Sequence, residues 1–178
     1  MTGEHANEYI FGTDDAELAR LGLQHRLWSA QAFGCWERAG IGPGVTVLDV
    51  GAGPGFASLD IAQLVAPNGR VIAIDESERF LRYLDERARS LGIHNVETRA
   101  QDVQEIEVPP SSIDVAYARW GLCFPPRPRA GVPRVAAALR PAIILSMRRR
   151  RSSLRARSVS RFHIATRARS VRPWSHIS

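Results

Sequence analysis

The segment Val45–Gly55, which reads V-T-V-L-D-V-G-A-G-P-G, constrains the fold of this chain more than any other. Its apolar, β-branched half carries one acid, Asp49, and its second half has glycine at positions 51, 53 and 55. The following residues, 56–65, have apolar side chains at helical spacing. A buried strand, a glycine turn and a helix are typical of the first unit of a nucleotide-binding parallel sheet. Glycine lets a ligand approach the backbone, and the helix N-terminus offers unpaired N–H groups.

The residue after the third glycine separates two kinds of nucleotide site. A dinucleotide fingerprint, G-x-G-x-x-G, needs glycine or alanine at position 56, where this chain has Phe56. The bulky ring disfavours a pyrophosphate at that helix start. A nicotinamide-dependent oxidoreductase is therefore a distant alternative, and an ordinary strand-to-helix turn without a ligand is another.

Two stretches of the chain resemble one enzyme family. Residues 47–55 resemble motif I of the class I S-adenosylmethionine-dependent methyltransferases, V-L-D-x-G-x-G-x-G. Residues 113–124 resemble the F-D-x-V-x-x-R-x-x-L-x-F run of the ubiquinone/menaquinone type, and the likeness as a whole covers Tyr9 to Pro141. It implies a Rossmann-like, doubly wound and mostly parallel α/β sheet, truncated at its C-terminal edge. It also implies an enzyme that uses S-adenosyl-L-methionine to methylate a small molecule.

A second apolar strand, residues 70–75, ends in Asp75, which stands 20 residues beyond Gly55. An acid at about this offset hydrogen-bonds the ribose hydroxyls in nucleotide-binding sheets. A carboxylate suits a diol because it accepts two hydrogen bonds at once. The alternative is that Asp75 caps the next helix, but Ser77 can fill that role. The pattern favours the ribose.

The resemblance implies further cofactor contacts at the ends of the third and fourth strands. Residues 100–103 resemble the G-D-A/V segment in which an aspartate meets the adenine amino group, although Ala100 replaces the usual glycine. Arg119 and Trp120 follow the fourth strand, at the edge where open α/β sheets bind ligands. The implied cofactor-binding residues are Asp49, Gly51, Ala52, Gly53, Gly55, Asp75, Glu76, Gln101, Asp102, Val103 and Arg119.

No residue stands out as a catalytic base. Methyl transfer needs a base only if the nucleophile carries a proton of high pKa. We interpret His25 and His94 as surface histidines and Cys123 as a buried small apolar residue. With two cysteines in the whole chain, we expect neither a metal site nor a disulfide framework. The catalytic residues stay unassigned.

Three regions organise the chain. Residues 1–44 form an arm and a helix that begins after Thr13 or Asp14 and runs to about Ala39. This helix either caps the cofactor, as the resemblance implies, or serves only in packing. Residues 45–147 form the S-adenosylmethionine-binding domain, and we expect residues 148–178 to be a disordered tail without a strand. Apolar patterns predict helices at 79–91 and 132–139, and strands at 95–99, 112–117 and 142–147.

The tail differs in composition from the rest of the chain. All 24 basic residues are arginine; residues 1–140 hold 14 of them with all 18 acids, whereas residues 141–178 hold ten and no acid. Three interpretations stay open: out-of-frame translation of a GC-rich gene, which we favour, a disordered extension, and an arginine-rich arm for phosphate contacts. Nucleic acid is the least favoured partner, because aromatic residues are too sparse for a stacking platform.

Hydropathy and the N-terminal residues bear on location and activity. No run approaches the roughly eighteen apolar residues of a membrane span, and residues 1–7 lack a signal-peptide pattern. We therefore expect a cytoplasmic protein without a membrane partner. Because the family's later strands and second substrate-facing segment are not legible, a second hypothesis is a cofactor-binding fragment that is inactive or assists a partner. The sequence does not indicate the methyl acceptor or the oligomeric state.

Overall fold

The computed structural model describes residues 13–119, 131–148 and 161–166, with side chains described for 13–119 and 131–140. Within these ranges the helices are α1 Asp15–Arg38, α2 Phe56–Val65, α3 Glu78–Ser90 and α4 Val132–Ala138. The strands are β1 Thr46–Val50, β2 Arg70–Asp75, β3 Val96–Ala100, β4 Ile113–Arg119, β5 Leu139–Arg148 and β6 Arg161–Thr166. The predictions for the N-terminal arm, Trp120, Cys123 and the rest of the tail fall outside the described residues.

The six strands of the described ranges form one sheet in the order β3-β2-β1-β4-β5-β6. β1 pairs in parallel with both β2 and β4, while β3 and β5 extend the parallel sheet on either side. The chain thus winds outward from β1 to β3 and then returns to the other side of β1. At such a reversal the carboxyl ends of the strands leave a crevice where ligands bind. The predicted Rossmann-like, mostly parallel sheet is confirmed.

Helices cover both faces of the sheet. The helices α1, α2 and α3 share apolar clusters with one face, and α4 packs on the other. In the first layer the Trp36 ring meets the Tyr117 ring edge-on, with the ring centroids 5.6 Å apart and both residues fully buried. Strands covered on both faces need apolar side chains at successive positions. That requirement explains the apolar run in β1, in which the buried Asp49 is an exception.

Helix α1 has the bounds that the sequence predicts. Asp14 caps its N-terminus, because Oδ1 of Asp14 accepts a 2.8 Å hydrogen bond from the N–H of Glu17. Its buried positions include His25 and Trp36. Among the described helices, α1 included, none is both long and apolar enough to cross a membrane.

Two predictions near the C-terminal edge of the sheet were wrong. Leu139 does not end α4 but begins β5, where it pairs with Ile113, so the helix stops at Ala138. The tail was expected to hold no strand, yet β6 pairs antiparallel with β5 from Ile143 to Arg148. The unpaired N–H and C=O groups along the outer edge of β5 offer a template for pairing. The sequence of β6 alternates large apolar and other residues only briefly, over Phe162 and Ile164.

Candidate functional site

The glycine loop between β1 and α2 lies at the carboxyl edge of the sheet, beside the end of β2. The N–H groups of Gly51 and Ala52 both donate to the carbonyl oxygen of Ile74, over 2.8 and 2.9 Å. These bonds tie the loop to the neighbouring strand. The loop therefore has a fixed position relative to the ends of β1 and β2, the two strands that flank the predicted ligand site.

The second and third glycines of the loop have different roles. Gly53 has a φ of +57°, and a Cβ built on it would meet nothing within 4 Å. Gly55 has a φ of +74°, and its Cβ would overlap the side chain of Leu84. Gly53 thus leaves open space in front of the loop, as close approach of a ligand requires. Gly55 instead allows α2 to pack closely against α3.

Asp75 holds the loop from the end of β2. Its Oδ2 accepts a 2.7 Å hydrogen bond from the N–H of Gly53, and its Oδ1 accepts a 2.9 Å bond from the N–H of Ser77. Burial raises the pKa of Asp75, and these backbone hydrogen bonds oppose that rise. The cap of α3 is Ser77, whose Oγ accepts from the N–H of Phe80. Asp75 therefore does not cap α3, which was the alternative role that the sequence allowed.

Asp49 is almost completely enclosed, with 1% of its surface exposed. Its Oδ2 accepts a 2.7 Å hydrogen bond from Oγ of Ser58, on the first turn of α2. Burial raises the pKa of Asp49 to about 6, although the Ser58 hydrogen bond and the charge of Arg119 both act to lower it. A carboxylate held in this way favours a cation at its side.

Arg119, the last residue of β4, reaches towards α1. Its Nη1 lies 3.0 Å from Nδ1 of His25, whose Nε2 lies 2.9 Å from Oδ2 of Asp60 on α2. The prediction that His25 is a surface residue was wrong, because only 9% of its surface is exposed. His94, in contrast, is exposed as predicted. One buried imidazole thus joins α1, α2 and β4.

Aromatic rings hold α1 against the N-terminus of α2. The ring of Phe56 stacks on His25 at a centroid distance of 5.8 Å and meets Tyr83 edge-on at 6.0 Å. Gly22 faces the same ring, since a Cβ there would lie 3.2 Å from Cζ of Phe56. Helix α1 consequently lies over the start of α2, directly beside the glycine loop.

The loop after β3 brings a second group of polar residues to the same edge. Asp102 accepts a 2.7 Å hydrogen bond from the N–H of Gln104 and further bonds from its side-chain amide. Oε1 of Gln104 is buried and has no hydrogen-bond partner within the described part of the chain. Burial and the neighbouring Asp102 carboxyl raise the pKa of Glu76, so these two acids face each other. The N–H of Gln101 donates to the carbonyl of Asp75, which joins this loop to β2.

The structure separates the eleven predicted site residues into two groups. Gly55 serves helix packing, and Val103 lies in the apolar cluster on the α4 face of the sheet. The remaining nine residues lie at the carboxyl edge or in the loops that follow it: Asp49, Gly51, Ala52, Gly53, Asp75, Glu76, Gln101, Asp102 and Arg119.

Sequence reasoning missed four polar residues of this region: Ser58, Asp60, Gln104 and, as a buried group, His25. Ser58 and Asp60 interrupt the apolar pattern of α2, and that interruption was the available signal. His25 stands on the apolar face of α1, where a polar residue needs a buried partner. Nothing in the sequence pattern indicated the role of Gln104.

Comparison with known proteins gives a family for this fold and site. A family model described as "Methyltransferase domain" matches residues 41–161. The ubiquinone/menaquinone biosynthesis C-methyltransferase UbiE of Escherichia coli O1:K1 / APEC is 31% identical over 107 residues, which are 60% of this chain and 41% of that protein. The chain thus spans about two fifths of the length of the curated relatives it matches.

Solved structures agree with this likeness. A SAM dependent methyltransferase from Aquifex aeolicus has a TM-score of 0.71 and 25% identity, over 79% of this chain and 76% of that one. The [4+2]-cyclase SpnF has a TM-score of 0.59 and 25% identity, over 64% of this chain and 42% of that one. Because the family model covers more than half of its residues, the chain belongs to the family of methyltransferase domains.

Proposed function

We propose that this chain binds S-adenosyl-L-methionine at the carboxyl edge of its sheet and transfers the methyl group to a small molecule. One observation carries the proposal: an open glycine loop lies between two carboxyls, the buried Asp49 and the half-buried Asp75. Membership of the methyltransferase domain family supports the same activity. The 31% identity to a C-methyltransferase supports carbon as one candidate acceptor atom.

The residues at this edge fit the parts of the cofactor. The space at Gly53 admits a ligand against the loop, because no atom lies within 4 Å of a Cβ built there. Asp75 accepts hydrogen bonds from the N–H groups of Gly53 and Ser77, and an ionised carboxylate has about four acceptor sites. Acceptor capacity of Asp75 therefore remains for the ribose. Asp49 would hold the ammonium group of the methionine part, and Asp102 the adenine amino group.

The chain contributes position and shielding to the chemistry. S-adenosyl-L-methionine supplies an electrophilic sulfonium methyl whose leaving group departs uncharged. The protein then has to align the acceptor with that methyl and to exclude water. Helix α1, which lies over the start of α2, is placed to shield the site. His25 is not placed to act as a base, since Arg119 and Asp60 occupy both of its ring nitrogens.

A cytoplasmic location and the absence of a nucleic-acid partner complete this proposal. Cys35 is a free, buried thiol, which fits a reducing compartment. The described side chains near the sheet edge include the acids Asp49, Asp75, Glu76 and Asp102. Acidic groups in such number disfavour a phosphate backbone at this edge.

A second candidate function is cofactor binding without methyl transfer. The [4+2]-cyclase among the solved relatives has a different activity from the methyltransferases with which it shares the fold. The chain also spans only about two fifths of its curated relatives. A cofactor-binding unit that depends on a partner for turnover would bind the cofactor with the same residues.

Titration calorimetry on the full chain tests the proposal. S-adenosylhomocysteine, the product form of the cofactor, should bind, and NAD should not, because Phe56 occupies the position at which a pyrophosphate needs a small residue. Binding of NAD in preference would overturn the proposal. Transfer of a labelled methyl group to a panel of small acceptors then distinguishes the enzyme from the cofactor-binding unit, since only the enzyme releases labelled product.

A further inference from the structure

We propose that His25 is a positioning residue, which aims Arg119 at the Asp49 end of the site and so makes cofactor binding depend on helix α1. The inference rests on the proposed cofactor site. It assigns a role to His25 on α1, which contacts Arg119 at the edge of the sheet, 94 residues later in the sequence.

Hydrogen-bond chemistry fixes the protonation of the imidazole. A guanidinium only donates hydrogen bonds, so Nδ1 of His25 must accept from Nη1 of Arg119 over 3.0 Å. The single proton of the neutral ring then lies on Nε2, which donates to Oδ2 of Asp60 over 2.9 Å. Asp60 therefore selects the ring tautomer that can accept from Arg119.

The surroundings of His25 also fix the orientation of its ring. The imidazole stacks on Phe56 with an angle of 26° between the ring planes, and little of His25 is exposed. A Cβ on Gly22 would lie 3.2 Å from Cζ of Phe56, so the glycine allows α1 to approach α2 closely at this point. A ring held by two hydrogen bonds and one stacking contact loses little further freedom when it orients a partner.

The benefit to the site is electrostatic. Burial makes the charged form of Asp49 unfavourable, and the positive charge of Arg119 acts in the opposite direction. A guanidinium held at the end of β4 therefore helps Asp49 to remain an anion. The proposed ammonium contact requires that anion. A continuous series of interactions thus links α2 to β1. His25 contacts both Asp60 and Arg119 through hydrogen bonds, and the charge of Arg119 acts on Asp49.

The competing account is that His25 only tethers α1 to α2 through Asp60. Two substitutions separate the accounts, since asparagine can place an acceptor near the position of Nδ1, whereas glutamine can place a donor near the position of Nε2. His25→Asn should retain the hydrogen bond with Arg119 and lose the one with Asp60. His25→Gln should retain the hydrogen bond with Asp60 and lose the one with Arg119.

Calorimetry with S-adenosylhomocysteine on the two full-length variants tests the proposal. We expect His25→Asn to bind within about threefold of the wild type and His25→Gln to bind about tenfold or more weakly, the scale for losing one hydrogen bond to a charged group. Thermal denaturation checks that both variants fold. The opposite ranking, an equal loss in both variants, or no loss in either would each overturn the proposal.

A ligand-free measurement keeps the inference separate from the proposed function. Long-range proton–nitrogen NMR on the wild-type chain near neutral pH reports which ring nitrogen of His25 carries the proton. We expect Nε2 alone. A proton on Nδ1, or on both nitrogens, would overturn the inference even if the cofactor binds. Failure of the wild type to bind S-adenosylhomocysteine, together with the expected tautomer, would instead contradict the proposed function and leave the assigned tautomer of His25 unchallenged.

Discussion

Ser58 and Asp49 form a buried pair across the glycine loop: Oγ of Ser58 donates a 2.7 Å hydrogen bond to Oδ2 of Asp49, and neither residue is more than 1% exposed. The pair joins the first turn of α2 to the end of β1. One hydroxyl meets only part of the hydrogen-bonding capacity of a carboxylate. The pKa of Asp49 stays raised despite this hydrogen bond and the charge of Arg119, so the ionised carboxylate destabilises the folded chain when no further cation is bound.

Replacing Asp49 with asparagine should stabilise the chain at neutral pH. The folded pKa of Asp49 is about 6 against an ordinary value of 3.8, so the folded carboxyl keeps its proton more tightly. Wild-type stability from this group is full below pH 3.8 and is lost as the pH rises towards 6. The Asp49→Asn variant should gain roughly 3 kcal/mol in free energy of unfolding at pH 7, and little near pH 4. Denaturant unfolding at the two pH values measures this difference.

The Asp49→Asn variant should also bind S-adenosylhomocysteine about tenfold or more weakly, because asparagine has no negative charge to attract the ammonium group of the ligand. Ser58→Ala is the matched variant, since it removes the hydrogen bond that lowers the pKa of Asp49 and should destabilise the chain further above pH 6. An Asp49→Asn advantage of the same size at every pH would show that ionisation of Asp49 is not its cause.

Alanine substitution should reduce mainly stability at Gly55 and mainly ligand affinity at Gly53. Gly55→Ala should lower the free energy of unfolding by about 2–4 kcal/mol, because its Cβ would overlap Leu84 and its φ is +74°. Gly53→Ala should cost about 1–2 kcal/mol for backbone strain alone but should abolish tight binding of S-adenosylhomocysteine. Thermal denaturation and calorimetry on both variants separate stability from affinity.

Gly40 provides the control for backbone strain. It has a φ of +73° and open space around its Cβ position, like Gly53, but it lies at the end of α1. Gly40→Ala should match Gly53→Ala in stability and leave ligand affinity unchanged. If both variants bind S-adenosylhomocysteine equally well, the space in front of Gly53 is not part of the ligand site.

Asp75→Ala should weaken binding of S-adenosylhomocysteine by about 1–3 kcal/mol, the scale for losing charge-assisted hydrogen bonds. Asp114 is a suitable comparison, because its Oδ2 also accepts a backbone hydrogen bond, 2.8 Å from the N–H of Thr46, but at the amino end of β1. Asp114→Ala should reduce stability and leave affinity intact. Calorimetry that finds equal affinities for the two variants would remove Asp75 from the site.

Strand β6 should be visible in amide hydrogen exchange of the full chain. Because β6 pairs with β5 from Arg161 to Thr166, its ladder amides should exchange more slowly than those of an unpaired segment. The amides of β3, at the other edge of the sheet, provide an internal reference. Deletion of residues 149–178 should lower the thermal midpoint by exposing the edge of β5, without changing affinity for S-adenosylhomocysteine. Exchange at 161–166 as fast as in a short peptide would contradict the pairing.

The sequence predicted the parallel sheet well because its signals are local. An apolar run followed by glycine specifies β1 and its loop, and the same logic located β2 and Asp75. The contacts of His25 and Ser58 were not predictable in this way, since they depend on how α1 crosses α2 and how α2 sits on β1. Strand β6 was missed because its pairing depends on an exposed edge of β5, and its own six residues carry only a weak alternating pattern.

The antiparallel direction of β6 determines where an attachment to the chain would sit. Arg161 pairs with Arg148 at the carboxyl end of β5, whereas Thr166 pairs with Ile143 nearer its start. Strand β6 therefore ends towards the amino ends of the parallel strands, whereas the glycine loop lies at their carboxyl ends. A fluorescent label or a surface tether placed at residue 166 would leave the crevice open to solvent, so immobilised protein should still capture its ligand from solution.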